Sequence, residues 1–263
     1  MISKKIKILI FLTIIASMVA GSSTAIVEYK YHVVGKTIRH IVFFYDDFIF
    51  DKTKSSDDSE HNIISLQIRK FHPSGNLDNY TSEKDSINTY FVSELDIEKT
   101  ALILIDVWKE HPNAGWLDRA NDNINNKVVP LLDIMRKNEV HIIHAPHSQE
   151  IADPAKPVEG ELVLDSSYSL DMTQLDNYLK RNGITTLLYA GYATNMCIFN
   201  RNVSMMHMRD LGYKTILVRD ATIAFETPES LEGEWAHKMA VNIVEFSLDG
   251  TVTVDDLYNA FNK

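Results

Sequence analysis

The single cysteine of this 263-residue chain, Cys197, closes the stretch Gly191-Tyr192-Ala193-Thr194-Asn195-Met196-Cys197. An apolar run, Thr186 to Ala190, precedes that stretch, and a segment readable as one helix, Cys197 to Leu211, follows it. A thiol at a strand-to-helix turn has definite chemistry open to it. The helix end favours a thiolate through its dipole and its unpaired N–H groups. The same N–H groups can hold the oxyanion that forms when sulfur attacks a carbonyl. Asp106 ends a second apolar run, Ala101 to Ile105, and could take the thiol proton and return it to a leaving amine. The two influences on the thiol oppose each other, because the helix end lowers its pKa and a carboxylate raises it. The expectation is a modest net depression, or a thiol that ionises only as Asp106 takes its proton. Read without chemistry, the same pair is a small buried hydrophobe and a loop cap.

Other side chains cluster near these two in sequence. Trp108, His111 and Trp116 follow Asp106, and His144 and His147 follow a third apolar run. Trp108, His111, His144 and His147 are expected to line a pocket. The pattern His144-Ala145-Pro146-His147 lacks a clear carboxylate partner, although Glu150 is close, so neither a metal nor a cofactor is expected. Glu226 reads as a cap of the next helix. One cysteine excludes an internal disulfide and any cysteine-cluster metal site.

The elements that position these residues alternate. Ala101–Ile105, Val140–His144, Thr186–Ala190 and Lys214–Val218 are short apolar runs of the kind buried on both faces of a sheet. Between them lie helical stretches. One covers roughly Asp122 to Lys137, with a kink or late start at Pro130; another covers Thr173 to Arg181 and ends at Asn182-Gly183. Ser230 is expected to cap a last helix whose buried side carries Trp235, Met239, Ile243 and Phe246. The fold class is α/β, a mostly parallel Rossmann-like sheet with helices on both faces. In such a sheet the ligand site lies beyond the carboxyl ends of the strands, where Asp106, His144, Cys197 and Asp220 fall.

At these residues the chain resembles the isochorismatase-like cysteine hydrolases, which include nicotinamidases and carbamoyl-amine hydrolases. Four segments carry the resemblance: TALILIDVW (100–108), VVPLLDIMRKNEVHIIHAP (128–146), GITTLLYAGYATNMC (183–197) and HMRDLGYKTILVRDATIAFE (207–226). It implies a nucleophile at Cys197 and an acid/base at Asp106. It also implies a cis peptide near Tyr192-Ala193, in a turn that with Cys197 forms the oxyanion site. The family's catalytic lysine is not matched: Asp165 or Ser166 stands at its position, while Lys109 and Lys156 lie elsewhere. Another cation could substitute, thiolate formation could rest on Asp106 and the helix end, or ordinary turnover could be lost.

The rest of the chain bounds the reading. Residues 1–25 combine Lys4, Lys5 and Lys7 with the apolar run Ile8 to Ala20 and a tail of small residues, the pattern of a secretory signal or, if uncleaved, an anchor. Residues 26–99 read as a β-rich extension, with strands at Ile41–Tyr45 and Ile63–Ile68, and residues 100–263 as the hydrolase domain. Lys+Arg 26 against Asp+Glu 36 gives a net charge of −10, with no basic stripe for nucleic acid. The sequence thus predicts a secreted or periplasmic cysteine hydrolase cleaving a small amide-like C–N bond. Its partner is a small-molecule substrate, with a membrane involved only if the first segment stays on, and the resemblance implies a homo-oligomer. A pocket that binds without turnover and a thiol-based sensor are the alternatives.

Overall fold

The computed structural model describes residues 62–72, 87–164 and 171–263. The N-terminal signal-like segment, the strand expected at Ile41–Tyr45 and the Asp165–Ser166 position lie outside them. The strands are β1 (Ile63–His72), β2 (Ile87–Asp96), β3 (Thr100–Ile105), β4 (His141–Ala145), β5 (Leu162–Val163), β6 (Thr186–Gly191), β7 (Lys214–Val218) and β8 (Thr251–Val252). The helices are α1 (Ala114–Asn123), α2 (Val129–Lys137), α3 (Asp171–Arg181), α4 (Cys197–Asn200), α5 (Met205–Asp210), α6 (Trp235–Ser247) and α7 (Val254–Phe261). All eight strands join one sheet in the order β2-β1-β8-β7-β6-β3-β4-β5. From β8 to β5 every pairing is parallel, while β1 runs antiparallel to both its neighbours. The strands within 62–99 therefore continue the sheet rather than packing upon it.

The unbroken apolar character of β3 follows from its central place, where every one of its residues is buried. Leu102 and Leu104 face one core, closed by α1, α2 and α7 through residues such as Trp116, Leu131 and Leu257. Ala101, Ile103 and Ile105 face the other, closed by Leu175 and Leu179 of α3, Met205 and Met208 of α5, and Val241 and Val244 of α6. The chain leaves β3 for β4 on one side and returns to β6 on the other. That reversal opens a crevice at the carboxyl ends of β3 and β6.

Three helical expectations need correction. The helix expected from Asp122 starts earlier, at Ala114, because the Asn113 side chain accepts a hydrogen bond from the Trp116 N–H at 3.0 Å. It runs on through a wide π turn at Ile124–Val128, where the Val129 N–H reaches back to the Ile124 carbonyl. Pro130 comes next, with no N–H of its own and a ring that crowds the preceding turn, so the wide turn absorbs its misfit. The helix expected over Cys197–Leu211 is broken into α4 and α5. Arg201 is extended (φ −72, ψ 158), and the Ser204 side chain caps α5 by accepting from the His207 N–H.

The third correction concerns α6. Trp235, Met239, Ile243 and Phe246 are 63%, 60%, 44% and 70% exposed, whereas Ala240, Val241, Val244 and Glu245 are buried. The helix has two apolar stripes, and the smaller residues are the ones that fit against the sheet. Ser230 does not cap it. Both oxygens of Glu226 do, accepting from the Ala236 and His237 N–H groups at 3.0 Å each. Glu245 ties α6 to the first strand: its Oε1 accepts from Arg69 Nε and from the Thr251 hydroxyl, each at 2.6 Å. Among the described residues, no helix is long and apolar enough to cross a membrane.

Candidate active site

Two strand ends build the site. β3 hands over to Asp106, which turns the chain with φ 49, a left-handed conformation that Asp tolerates better than most residues. β6 ends at Gly191, with φ 96, and the Tyr192 N–H then crosses to the Ile105 carbonyl at 2.7 Å. The Tyr192–Ala193 peptide is cis, where the resemblance implied it. The turn that follows is held from several directions. The Thr194 N–H donates to Ile223 O at 3.0 Å, and its hydroxyl pairs with that of Thr222 at 2.7 Å. The Asn195 amide exchanges two hydrogen bonds with the Phe225 backbone, at 2.9 and 3.0 Å. Cys197 begins α4 directly after this turn and is half-buried.

Asp106 and Cys197 come together as the sequence predicts. Asp106 is 1% exposed, and its side chain interacts with the thiol. Its Oδ1 accepts from Arg201 Nη1 at 2.7 Å, and the same nitrogen donates to the Ala145 carbonyl at 2.6 Å. Its Oδ2 is buried without a hydrogen bond. Burial raises the Asp106 pKa, and Arg201, the thiol and His147 pull it part of the way back. Burial also acts first on Cys197, and the Asp106 charge adds to it, so the thiol is pushed up to about 12. The Ala193 N–H and Arg201 oppose that rise without cancelling it. The modest depression expected from the sequence is therefore overturned. α4 is a single turn and supplies little dipole, while the desolvation of the crevice was invisible in the sequence. The raised pKa accords with the other expectation, a thiol that ionises only as Asp106 takes its proton.

Arg201 is the residue that sequence reading missed. It is 4% exposed, comes from a break between two helices, and meets Asp106 across 95 positions. Lys109 and Lys156 are engaged in an exposed group, where Lys109 pairs with Glu150 at 3.0 Å and Lys156 with Asp153.

The remaining site residues divide. Trp108 donates its indole N–H to Pro146 O at 2.8 Å and stacks on His111 at 6.1 Å between ring centres. His111 also touches Trp116 and Phe225, at 4.6 and 5.3 Å, making an aromatic wall beside the Asn195–Phe225 link. His147 acts on Asp106 through its charge. His144 turns away into a buried cluster, its Nε2 2.7 Å from Glu161 Oε2, with Arg136 on the other Glu161 oxygen at 2.7 Å. Burial lowers the His144 pKa more than Glu161 raises it, which leaves a neutral ring. Asp220 accepts from the Val254 N–H and pairs with Lys127 at 2.9 Å, away from the thiol. Among the described residues, no three His, Cys, Asp or Glu side chains converge as a metal-ligand group.

Comparison with known proteins adds a lineage to this geometry. The profile of the Isochorismatase domain matches residues 100–244. The uncharacterized isochorismatase family protein YrdC of Bacillus subtilis is 25% identical over 186 residues, covering 63% of this chain and 98% of that protein. The ureidoacrylate amidohydrolase RutB of Variovorax paradoxus is 31% identical over 114 residues, 43% of this chain and 42% of that one. Among solved structures, a cysteine hydrolase from Pseudomonas syringae pv. phaseolicola superposes with a TM-score of 0.53 at 16% identity, covering 64% of this chain and 94% of its own.

Proposed function

This chain belongs to the isochorismatase family, and within it we propose a cysteine hydrolase that opens a small amide-like C–N bond through a thioester on Cys197. The observation that carries the reading is the Cys197 thiol set against the buried Asp106 carboxyl, at the crevice where β3 and β6 end. Substrate seats its carbonyl over the sulfur and its leaving nitrogen toward Asp106. Asp106 takes the thiol proton, sulfur bonds to the carbonyl carbon, and backbone N–H groups of the turn from Tyr192 to Cys197 hold the oxyanion. The nitrogen leaves with the proton from Asp106, and water then cleaves the thioester. Trp108, His111 and Phe225 form the apolar wall against which the substrate lies. The similarity to a ureidoacrylate amidohydrolase supports a C–N bond as the target. The Lys-flanked apolar segment at residues 4–20 supports an exported enzyme.

Intact-mass screening of the purified chain against amides, ureas and carbamoyl compounds tests the proposal. The expected result is an acyl adduct that maps to Cys197, is absent in Cys197→Ala, and is accompanied by release of the amine. Hydrolysis that survives in Cys197→Ala would overturn it.

A further inference from the structure

A carboxylate removed from water, as Asp106 is, requires a compensating charge or protonates. Arg201 is the first of the charges that oppose the burial of Asp106, ahead of His147. Arg201 stands four positions after the nucleophile, where the chain abandons helical geometry and turns its side chain inward. Its Nη1 is fixed between Asp106 Oδ1 and the carbonyl of Ala145, the last residue of β4. Strand β4 thus locates the guanidinium, and the guanidinium locates the carboxyl. One oxygen of Asp106 is taken and the other, Oδ2, is left without a hydrogen bond.

We infer that Arg201 is the positioning residue of the proposed hydrolase: it holds Asp106 ionised and oriented so that Oδ2 alone carries the proton. This role rests on the hydrolase reading. It also restricts the chemistry in a way that a lysine would not, since a guanidinium does not give up a proton under enzymatic conditions. The proton in the cycle is then the one that the thiol gives up. It moves from sulfur to Oδ2 as the S–C bond forms, and from Oδ2 to nitrogen as the C–N bond breaks. A water molecule then gives a proton to Oδ2 while its oxygen attacks the thioester carbon. The C–S bond breaks, and sulfur recovers the proton from Oδ2. One water is consumed, and an acid and an amine or ammonia are released.

The test uses the full chain with p-nitrophenyl acetate as acyl donor. Nitrophenolate release and Cys197 acetylation are followed across pH in wild type, Arg201→Lys, Arg201→Gln and Arg201→Met. Loss of the cation makes Asp106 harder to ionise, so the acid limb should move up by more than about one pH unit in the Gln and Met variants. Acetylation at neutral pH should fall at least about tenfold in both. Arg201→Lys, which keeps the charge, should hold the limb near its wild-type position. A Met variant whose profile coincides with wild type would overturn the role and leave the hydrolase reading standing. A wild type that is not acetylated would count against the hydrolase reading itself. If the neutral variants do not fold, infrared spectra of wild type against Asp106→Asn still decide, because Arg201 in this role requires an ionised Asp106 at pH 6, and a protonated one there refutes it.

Discussion

An ideal Cβ on Gly191 would stand 2.0 Å from the carbonyl oxygen of Ile105 and 2.9 Å from that residue's carbonyl carbon. The missing side chain is what lets the end of β6 lie against the end of β3, so that the thiol turn and Asp106 share one crevice. Every atom in the way is backbone, with no flexible tip to yield. Gly191 also has φ 96, which adds strain for any L residue. Gly191→Ala should therefore cost about 3 kcal/mol or more, or prevent folding. Gly183 shares a positive φ, 66, but faces open space, so Gly183→Ala should cost only about 1 kcal/mol. Urea unfolding followed by tryptophan fluorescence compares the two.

The resting thiol should be slow. With its pKa pushed up to about 12, first by burial and then by Asp106, Cys197 should react sluggishly with iodoacetamide at neutral pH. Its labelling rate should still be climbing at the highest pH the fold survives. Removing the neighbouring charge in Asp106→Asn should move the labelling profile to lower pH while slowing hydrolysis. Labelling that saturates below pH 8 in wild type would contradict this account.

Stability should decline on acidification before the carboxylates titrate. Burial lowers the pKa of His141, His144 and His237 below the ordinary value of 6.5. The unfolded chain then takes up protons first as pH falls. The stability these rings contribute is complete above 6.5 and is lost as pH drops through their folded-state values. For buried His144, each unit of depression is worth about 1.4 kcal/mol. Urea midpoints at pH 7.5 and 5.5 should fall in wild type and fall less in His144→Gln.

The two stripes of α6 make opposite forecasts. Trp235→Ser and Phe246→Ser remove exposed rings and should change folding stability by no more than about 0.5 kcal/mol. Val244→Ala opens space in a fully buried position and should cost about 1–2 kcal/mol. If the aromatic changes proved the costlier ones, the face assigned to the core would be wrong.

The sequence showed the centre of this fold clearly and its periphery poorly, for a physical reason in each case. The run Lys214–Val218 matches its strand to the residue, and Ala101–Ile105, Val140–His144 and Thr186–Ala190 match theirs to within a residue or so, because a strand buried on both faces carries a nearly continuous apolar run. Their carboxyl ends then located Asp106 and Cys197. Arg201 gave no such sign. The break at Arg201 contains neither Gly nor Pro, and the partner its side chain meets lies 95 residues back. On α6 the large residues recur at helical spacing, but so do the small ones, and periodicity cannot say which stripe faces inward. His144 looked like a pocket residue by position; its partner Glu161 came from a loop whose path no local pattern revealed.

The seat of β1 beside β8 bears on how the chain is made. β1 and β2 can close on each other early, since their pairing spans only the segment from Ile63 to Asp96. The sheet position they occupy does not exist until residue 251 has left the ribosome, because Arg69 pairs with Thr251 there. Until then the β1 side of the hairpin is also an open edge, the kind of surface that recruits other strands. Nascent chains stalled or cleaved short of that residue should accordingly be the ones that aggregate or engage chaperones, and β8 acts as the latch on β1.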